Sequence, residues 1–206
     1  MTVVIKDNDL TYAVDALLRG GLVAVPTETV YGLAANGLDA DAVARIYEAK
    51  GRPSLKPLSL LVPGLDAAES FCADIPEQAR ALAGRFWPGP LTMVLKRRGN
   101  VPDIVTAGGG TIGIRCPDHP LTLELMRLAG VPLAAPSANL SDMPSPKCAA
   151  EVLSYFNGVI DCVVDGGACA LGVESTIIDL SSEPFKILRK GALEEADIWK
   201  AISAVT

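Results

Sequence analysis

A chain of 206 residues, half of them hydrophobic and one fifth charged, has a globular composition and enough length to bury a core without disulfide or metal staples. Its net charge of −6 argues against a sequence-independent grip on nucleic acid, which depends on Lys and Arg neutralising phosphates, and leaves only a local basic groove open. No apolar run reaches the ~18–20 residues of a membrane span, and Lys6 and Asp7 stand where an export signal needs an apolar stretch, so the expected protein is soluble and cytoplasmic.

Helical and strand patterns alternate along the chain. Leu10, Ala13, Val14, Leu17 and Leu18 repeat at helical spacing, with Asn8 or Asp9 as cap and Gly20-Gly21 as the stop. Gly21–Pro26 reads as a short buried strand, and Asp39–Lys50 as a helix with Val43, Ile46 and Tyr47 inward and Gly51 beyond its end. Pro57–Val62 is a strand, Pro76–Phe86 a helix with proline in its first turn, and Leu91–Lys96 and Thr111–Arg115 are strands. A helix over His119–Leu128 precedes a buried strand over Val131–Ala135. Pro146 can open a helix over Lys147–Phe156, and strands follow over Cys162–Asp165, Ser175–Leu180 and Lys186–Leu188 before a closing helix over Leu193–Ile202. This interleaving predicts an α/β fold with a twisted sheet, and without a linker or repeat residues 1–206 read as one domain.

Several familiar chemistries lack their residues. There is no G-x-x-x-x-G-K-[ST], no G-x-S-x-G and no Ser-x-x-Lys. Gly108–Gly113 satisfies G-x-G-x-x-G, but a strand pattern follows it and Leu133 stands where a dinucleotide site needs an acid. A lone histidine, His119, excludes mechanisms built on a histidine pair. The five cysteines, at 72, 116, 148, 162 and 169, include no C-x-x-C; reduced, buried thiols are the plain reading, and no protein metal site is expected.

Polar clusters do occur at strand ends within apolar sequence: PTETVYGL (26–33), KGRP (50–53) with Lys56, Arg115, PSANLS (136–141), GVEST (172–176) and Arg189. Ligands of open α/β sheets gather at such ends. Fixed cations (Lys50, Arg52, Lys56, Arg115, Arg189) suit phosphates and a carboxylate. Hydroxyls and an amide (Thr29, Thr111, Ser137, Asn139, Ser145, Ser175) suit the orientation of small polar groups. Taken singly, each has a plainer reading: Lys50 and Arg52 as a solvated helix end, Ser137 and Asn139 as turn residues, Arg115 as half of an ion pair, Glu28 and Glu174 as bases or as loop braces, and Lys96-Arg97-Arg98 as an exposed strand end.

Taken in order, PTETVYGL, KGRP, FWPGPLT, TIGIRCPDHP, PSANLSDMPSP, GVESTIIDL and ILRKG strongly resemble the YrdC-domain family of threonylcarbamoyl-adenylate synthases, over about residues 10 to 200. The family's Lys-x-Arg…Ser-x-Asn signature is met by Lys50-Gly51-Arg52 and Ser137-Ala138-Asn139. The resemblance, closest to the shorter single-domain members, implies a twisted, mixed sheet flanked by helices around a large basic cavity. It implies that ATP, L-threonine and bicarbonate or CO2 give threonylcarbamoyl-AMP, pyrophosphate and water, with Mg²⁺ bridging the phosphates. The product would pass to a tRNA-modifying transferase complex that acts on the adenosine beside the anticodon, with at most weak contact to tRNA and none to membrane.

By matching positions, the resemblance makes Lys50 and Arg52 catalytic. Together with Lys56, Thr111, Ser137, Asn139, Ser145 and Arg189 they would bind ATP, while Thr29, Arg115, Ala135 and Ser175 would bind threonine. Leu61 stands where some members carry a threonine-contacting histidine. The alternatives are a related enzyme carbamoylating another acceptor, and an RNA-binding or ribosome-associated module without this activity.

Overall fold

The computed structural model describes residues 1–6 and 9–205; the proposed cap Asn8 lies outside them. The described residues form a mixed sheet of eleven strands: β1 (Val3–Ile5), β2 (Val23–Val25), β3 (Gly32–Asn36), β4 (Ser59–Leu61), β5 (Cys72–Asp74), β6 (Leu91–Arg97), β7 (Thr111–Arg115), β8 (Leu133–Ala134), β9 (Cys162–Val164), β10 (Thr176–Asp179) and β11 (Lys186–Arg189). Their order is β1-β9-β2-β3-β8-β4-β7-β6-β10-β11, with β5 paired to β6 off this path. The sheet mixes parallel pairs (β1 with β9, β4 with β7, β6 with β10) and antiparallel ones (β2 with β3, β3 with β8, β6 with β7).

Among the described residues eight helices flank the sheet: α1 (Thr11–Leu18), α2 (Ala40–Lys50), α3 (Leu65–Ala68), α4 (Glu77–Phe86), α5 (Asp103–Thr106), α6 (Pro120–Ala129), α7 (Ala149–Phe156) and α8 (Glu195–Ser203). Strand side chains alternate between faces, and the core divides accordingly. On one face Ala24, Leu33, Leu60, Met93, Ile114 and Ile178 pack against α2, α4, α7 and α8 through residues such as Ile46, Leu82, Phe156 and Ile198. On the other, Val23, Val25, Ala34 and Leu133 pack against α1 and α6 through Leu17 and Leu125. That second cluster draws no residue from β6, β7 or β10. The face that α1 and α6 leave uncovered there is the floor of a cleft.

Two helix ends set up that cleft. Asp39 caps α2 by accepting from the N–H groups of Asp41 and Ala42. Gly51, at φ 57°, ends the helix in the left-handed conformation that glycine adopts without cost, and the Arg52 N–H then returns to the Tyr47 carbonyl at 2.9 Å. This turn aims Arg52 away from the helix axis. Helix α7 begins at Ala149, two residues later than the sequence pattern suggests, because residues 146 and 147 are engaged elsewhere. The Pro146 carbonyl accepts from Tyr31 N–H, and Lys147 N–H donates to Glu151 Oε2 at 2.7 Å. Pro76 precedes α4 as its cap residue instead of lying in the first turn.

Candidate functional site

The cleft is built from sheet register. Ser59 of β4 pairs with Gly113 of β7, and Gly113 with Val94 of β6, while Ala135 N–H donates to the Ser59 carbonyl. Two residues along β4 and β7, Leu61 pairs with Arg115, and Thr92 pairs with Ile177. Each row presents its side chains to the same side, and Ser59, Leu61, Thr92, Arg115, Ala135 and Ile177 all line the cleft. Gly113 keeps the floor open: a Cβ there would lie 2.5 Å from Ser59 Oγ. Arg52, Ser137, Glu174, Ser175 and Arg189 complete the walls with Thr27, Tyr31 and Gly32. The spacing in sequence between positions 52 and 189 thus closes into one concavity, lined by three guanidinium groups and a single carboxylate, that of Glu174.

At one end, Arg115 is buried and braced through its Nε and Nη2. Its Nη2 donates to Glu28 Oε1 and to Thr29 Oγ1, each at 2.8 Å, and its Nε to the Gly89 carbonyl at 3.2 Å. Glu28 Oε2 in turn accepts from Asp118 N–H at 3.1 Å. Side-chain exposure is 8% for Arg115 and 10% for Glu28, so the pair is desolvated and depends on these hydrogen bonds to offset that cost. Among the described residues Arg115 Nη1 takes no partner, which leaves a donor beside the cleft it lines. The hydroxyls of Thr27 and Thr29 lie 2.8 Å apart, and Thr27 Oγ1 closes the turn by accepting from Thr29 and Val30 N–H.

Across the floor, Arg189 is fixed by Ser175. Arg189 Nε and Nη2 both donate to the Ser175 carbonyl, at 3.0 and 2.9 Å, and Nη2 also meets Ser175 Oγ at 3.0 Å. Ser175 Oγ is within 2.8 Å of Thr92 Oγ1. Burial lowers the proton affinity of Arg189, with Glu174 opposing that shift, yet an arginine stays charged at any working pH. Ser145 stands one layer behind the wall and donates to Glu174 Oε1 at 2.8 Å.

The Lys-x-Arg and Ser-x-Asn segments meet as a unit. Lys50 is buried, 3% exposed, and its ammonium donates to the carbonyls of Ser137 and Asn139. Burial, then the charge of Arg52, pulls the Lys50 pKa down to about 8. Ser137 Oγ donates to Asn139 Oδ1, whose amide nitrogen donates to the carbonyls of Leu140 and Met143. Lys50 and Asn139 therefore shape the loop that presents Ser137, and neither lines the cleft itself. Arg52 does line it, held only by carbonyls of its own loop: Nε to Lys56 at 3.3 Å and Nη2 to Pro57 at 3.1 Å.

The structure brings together Arg52, Arg115, Ala135, Ser137, Ser175 and Arg189 as cleft walls. Thr29, Lys50, Asn139 and Ser145 stand one contact behind them. Lys56 is exposed, its ammonium 3.8 Å from Asp142, and Thr111 begins β7 at the end away from Arg115; neither lines the cleft. Ser59 and Thr92 were missed by sequence reasoning. Their signal was a lone hydroxyl on one face of an otherwise apolar strand. Of Lys96-Arg97-Arg98, Arg97 pairs with Asp103 at 2.6 Å and Arg98 caps carbonyls of Glu69 and Cys72, which makes this run structural at two of its three positions.

A mixed α/β sheet carrying a guanidinium-lined cleft over its β4-β7-β6-β10 segment is the class defined here. The Sua5/YciO/YrdC family model, described as "Telomere recombination", matches residues 15–191, and the chain belongs to this family. Over 98% of its length the chain is 47% identical to a Pyrococcus abyssi protein named threonylcarbamoyl-AMP synthase, and over 97% it is 44% identical to one of the same name from Bacillus subtilis. It superposes with a TM-score of 0.95 on the crystal structure of P. abyssi Sua5 complexed with L-threonine, at 45% identity over 98% of this chain. The chain spans 59% and 58% of the two relatives' lengths and 61% of the solved chain.

Proposed function

We propose that this chain makes L-threonylcarbamoyl-AMP from ATP, L-threonine and bicarbonate or CO2, releasing pyrophosphate. The observation that carries this reading is the convergence of Arg52, Arg115, Ser137 and Arg189 on one cleft, in a fold shared with a threonine-bound relative. The braced end suits an amino acid: Arg115 Nη1 takes the carboxylate, and Thr29 and Ser175 orient the polar groups above the small Ala135. Leu61, in register with Arg115, offers an apolar surface to a methyl group. One methyl supports only about 1–3 kcal/mol of selection, so serine is expected to react at high concentration.

The other end suits the triphosphate. Arg52 and Arg189 neutralise phosphate oxygens, with Lys56 and Thr111 joining from the loop and strand edge once ATP is bound, and Ser137 and Ser145 orient the nucleotide. The amine of threonine, unprotonated, forms a N–C bond with CO2 and loses a proton, giving a carbamate. A carbamate oxygen then attacks the α-phosphorus, and the bond to the bridging oxygen breaks as pyrophosphate leaves. No protein nucleophile is needed; positioning and charge stabilisation supply the catalysis. Lys50 and Asn139 contribute through the loop they hold, not by touching phosphate.

Among the described residues no three carboxylate, histidine or cysteine side chains cluster as a metal site. A Mg²⁺ arriving with ATP would be held by phosphate oxygens and water, with Glu174 the carboxylate that lines the cleft. The product's mixed anhydride makes it an activated acyl donor, which calls for a downstream tRNA-modifying transferase complex in the cytoplasm. No described helix is long and apolar enough to cross a membrane. The test is pyrophosphate release, expected only when ATP, threonine and bicarbonate are all present. Release without threonine, or none at all, contradicts the reading.

A further inference from the structure

The five cysteines differ in depth. Cys72, Cys116 and Cys162 are buried, and burial pushes their thiols up to about 12, 11 and 12, which keeps them protonated and unreactive. Cys148 and Cys169 are only half-buried, and they lie on two segments that run side by side. Cys169 N–H donates to the Lys147 carbonyl at 2.8 Å. Standard peptide geometry carries that contact through one peptide to the Cys148 Cα, so the two Cα atoms lie within about 7 Å. Disulfides span roughly 4.4–6.8 Å between Cα atoms. Burial raises the Cys169 thiol, and Glu28, Cys148 and Glu151 are close enough to add to the rise.

The same two segments hold the back of the turn that braces Arg115. The Pro146 carbonyl accepts from Tyr31 N–H at 2.9 Å, the Gly167 carbonyl from the Tyr31 hydroxyl at 2.8 Å, and the Glu28 carbonyl from Leu171 N–H at 2.8 Å. Glu28 and Thr29 of that turn are the partners of Arg115 Nη2. Drawing Cys169 toward Cys148 pulls on the segment whose Leu171 N–H, two residues further on, holds the Glu28 carbonyl.

We propose that Cys148 and Cys169 are a dithiol that hydroperoxides oxidise to a disulfide, and that this bond loosens the threonine end of the cleft. The Cys148 thiolate attacks a peroxide oxygen; the O–O bond breaks, leaving a sulfenic acid and an alcohol, or water when the oxidant is hydrogen peroxide. The Cys169 sulfur then attacks the Cys148 sulfur, the S–S bond forms, and the sulfenic oxygen leaves as water with the Cys169 proton. Two thiols lose two electrons and one peroxide gains them. The effect on threonine rests on the proposed threonine site; the cross-link itself does not.

The native chain is treated with equimolar hydrogen peroxide, alkylated after unfolding and cleaved after Glu and Asp. This places the cysteines at 148, 162 and 169 on separate peptides, 143–151, 162–165 and 166–174. The expected product is peptide 143–151 joined to 166–174, two hydrogens lighter than the sum, with Cys72, Cys116 and Cys162 alkylated. It disappears with dithiothreitol and is not formed in C148S or C169S. Threonine affinity by calorimetry is expected to fall about ten-fold on oxidation, the effect of losing one well-placed hydrogen bond, and to recover on reduction. C148S binds threonine normally before and after peroxide. Both thiols alkylated, or a link through Cys162, overturns the dithiol; the link with unchanged threonine affinity overturns its effect on the cleft. A normal link and affinity shift in a chain that releases no pyrophosphate counts against the enzymatic reading alone.

Discussion

The two ends of the cleft are built differently. Around Arg115 the struts come from distant parts of the chain, Glu28 and Thr29 from the turn after β2 and Gly89 from the segment before β6, and Glu28 is itself held by Asp118 beyond β7. Around Arg52 the partners are carbonyls four and five residues away on the same exposed loop, and Lys56 reaches only an exposed aspartate at 3.8 Å. Residues fixed by long-range contacts are organised before a ligand arrives, whereas a loop holding itself can close on one. The Arg115 end is thus organised in advance and the Arg52 end is free to close on a ligand, which under the proposed function are the amino-acid and phosphate ends.

That contrast can be broken from either side. Arg52→Ala is expected to have the largest effect on turnover, a loss of about 10³-fold as for a charge-stabilising group removed from a transition state. Its melting temperature should not change, since no other element leans on Arg52. Intact activity, or unfolding, would place Arg52 on the structural side. Arg115→Ala should do both kinds of damage: threonine KM rises roughly 100-fold, as for a lost charge-assisted bond, and stability falls by about 3–5 kcal/mol because Glu28 is left buried without its partner. Arg115→Ala paired with Glu28→Gln should recover part of the stability and none of the threonine affinity. Denaturant titration and threonine saturation curves separate the two.

Smaller effects sharpen the picture. Gly113→Ala places a methyl 2.5 Å from Ser59 Oγ on the cleft floor; about 1–3 kcal/mol of destabilisation is expected from the crowding, with weaker nucleotide binding by calorimetry and little change in threonine binding. The smallest concerns Lys50. Its native pKa of about 8 lies below the ordinary 10.5, so between those values the unfolded chain holds a proton that the native chain has released. Raising the pH through that window therefore favours the native state. Wild-type stability measured against Lys50→Met should rise from pH 8 to 10.5 and be flat below pH 8; a difference that stays flat over that window would mean that the lysine keeps its proton.

How much of this was legible in the chain depends on the range of the interactions. Helix α2 was readable because its signals are local: Asp39 at the cap, an inward stripe and Gly51 past the end. Strand β3 was not, because Gly32–Asn36 holds one large apolar residue, Leu33, among small and polar ones in a motif that reads as a loop, and it becomes a strand only between β2 and β8. Strand β1, of three residues, exists through its parallel pairing with β9, nearly the whole chain away, and α3 and α5 are single turns with no periodicity to detect. The same holds in the cleft. Arg115, Ser137 and Arg189 could be picked out as polar residues ending apolar strands. That Lys50 would turn inward to hold the Ser137 and Asn139 carbonyls could not, because its burial is decided by a loop nearly ninety positions further on. Likewise the depth that separates Cys148 and Cys169 from the other three thiols appears only after packing.

The central claim is that one cleft joins a carboxylate-bearing amino acid to a nucleotide through a carbonyl carbon. Incubation with ATP, L-threonine and ¹³C-bicarbonate, followed at once by mass spectrometry, tests it most directly. The expected product is an adenylate carrying threonine and one ¹³C atom, lost in Arg52→Ala and in Arg115→Ala at low threonine. An adenylate without the label, or ATP consumed with no threonine in the product, would contradict it.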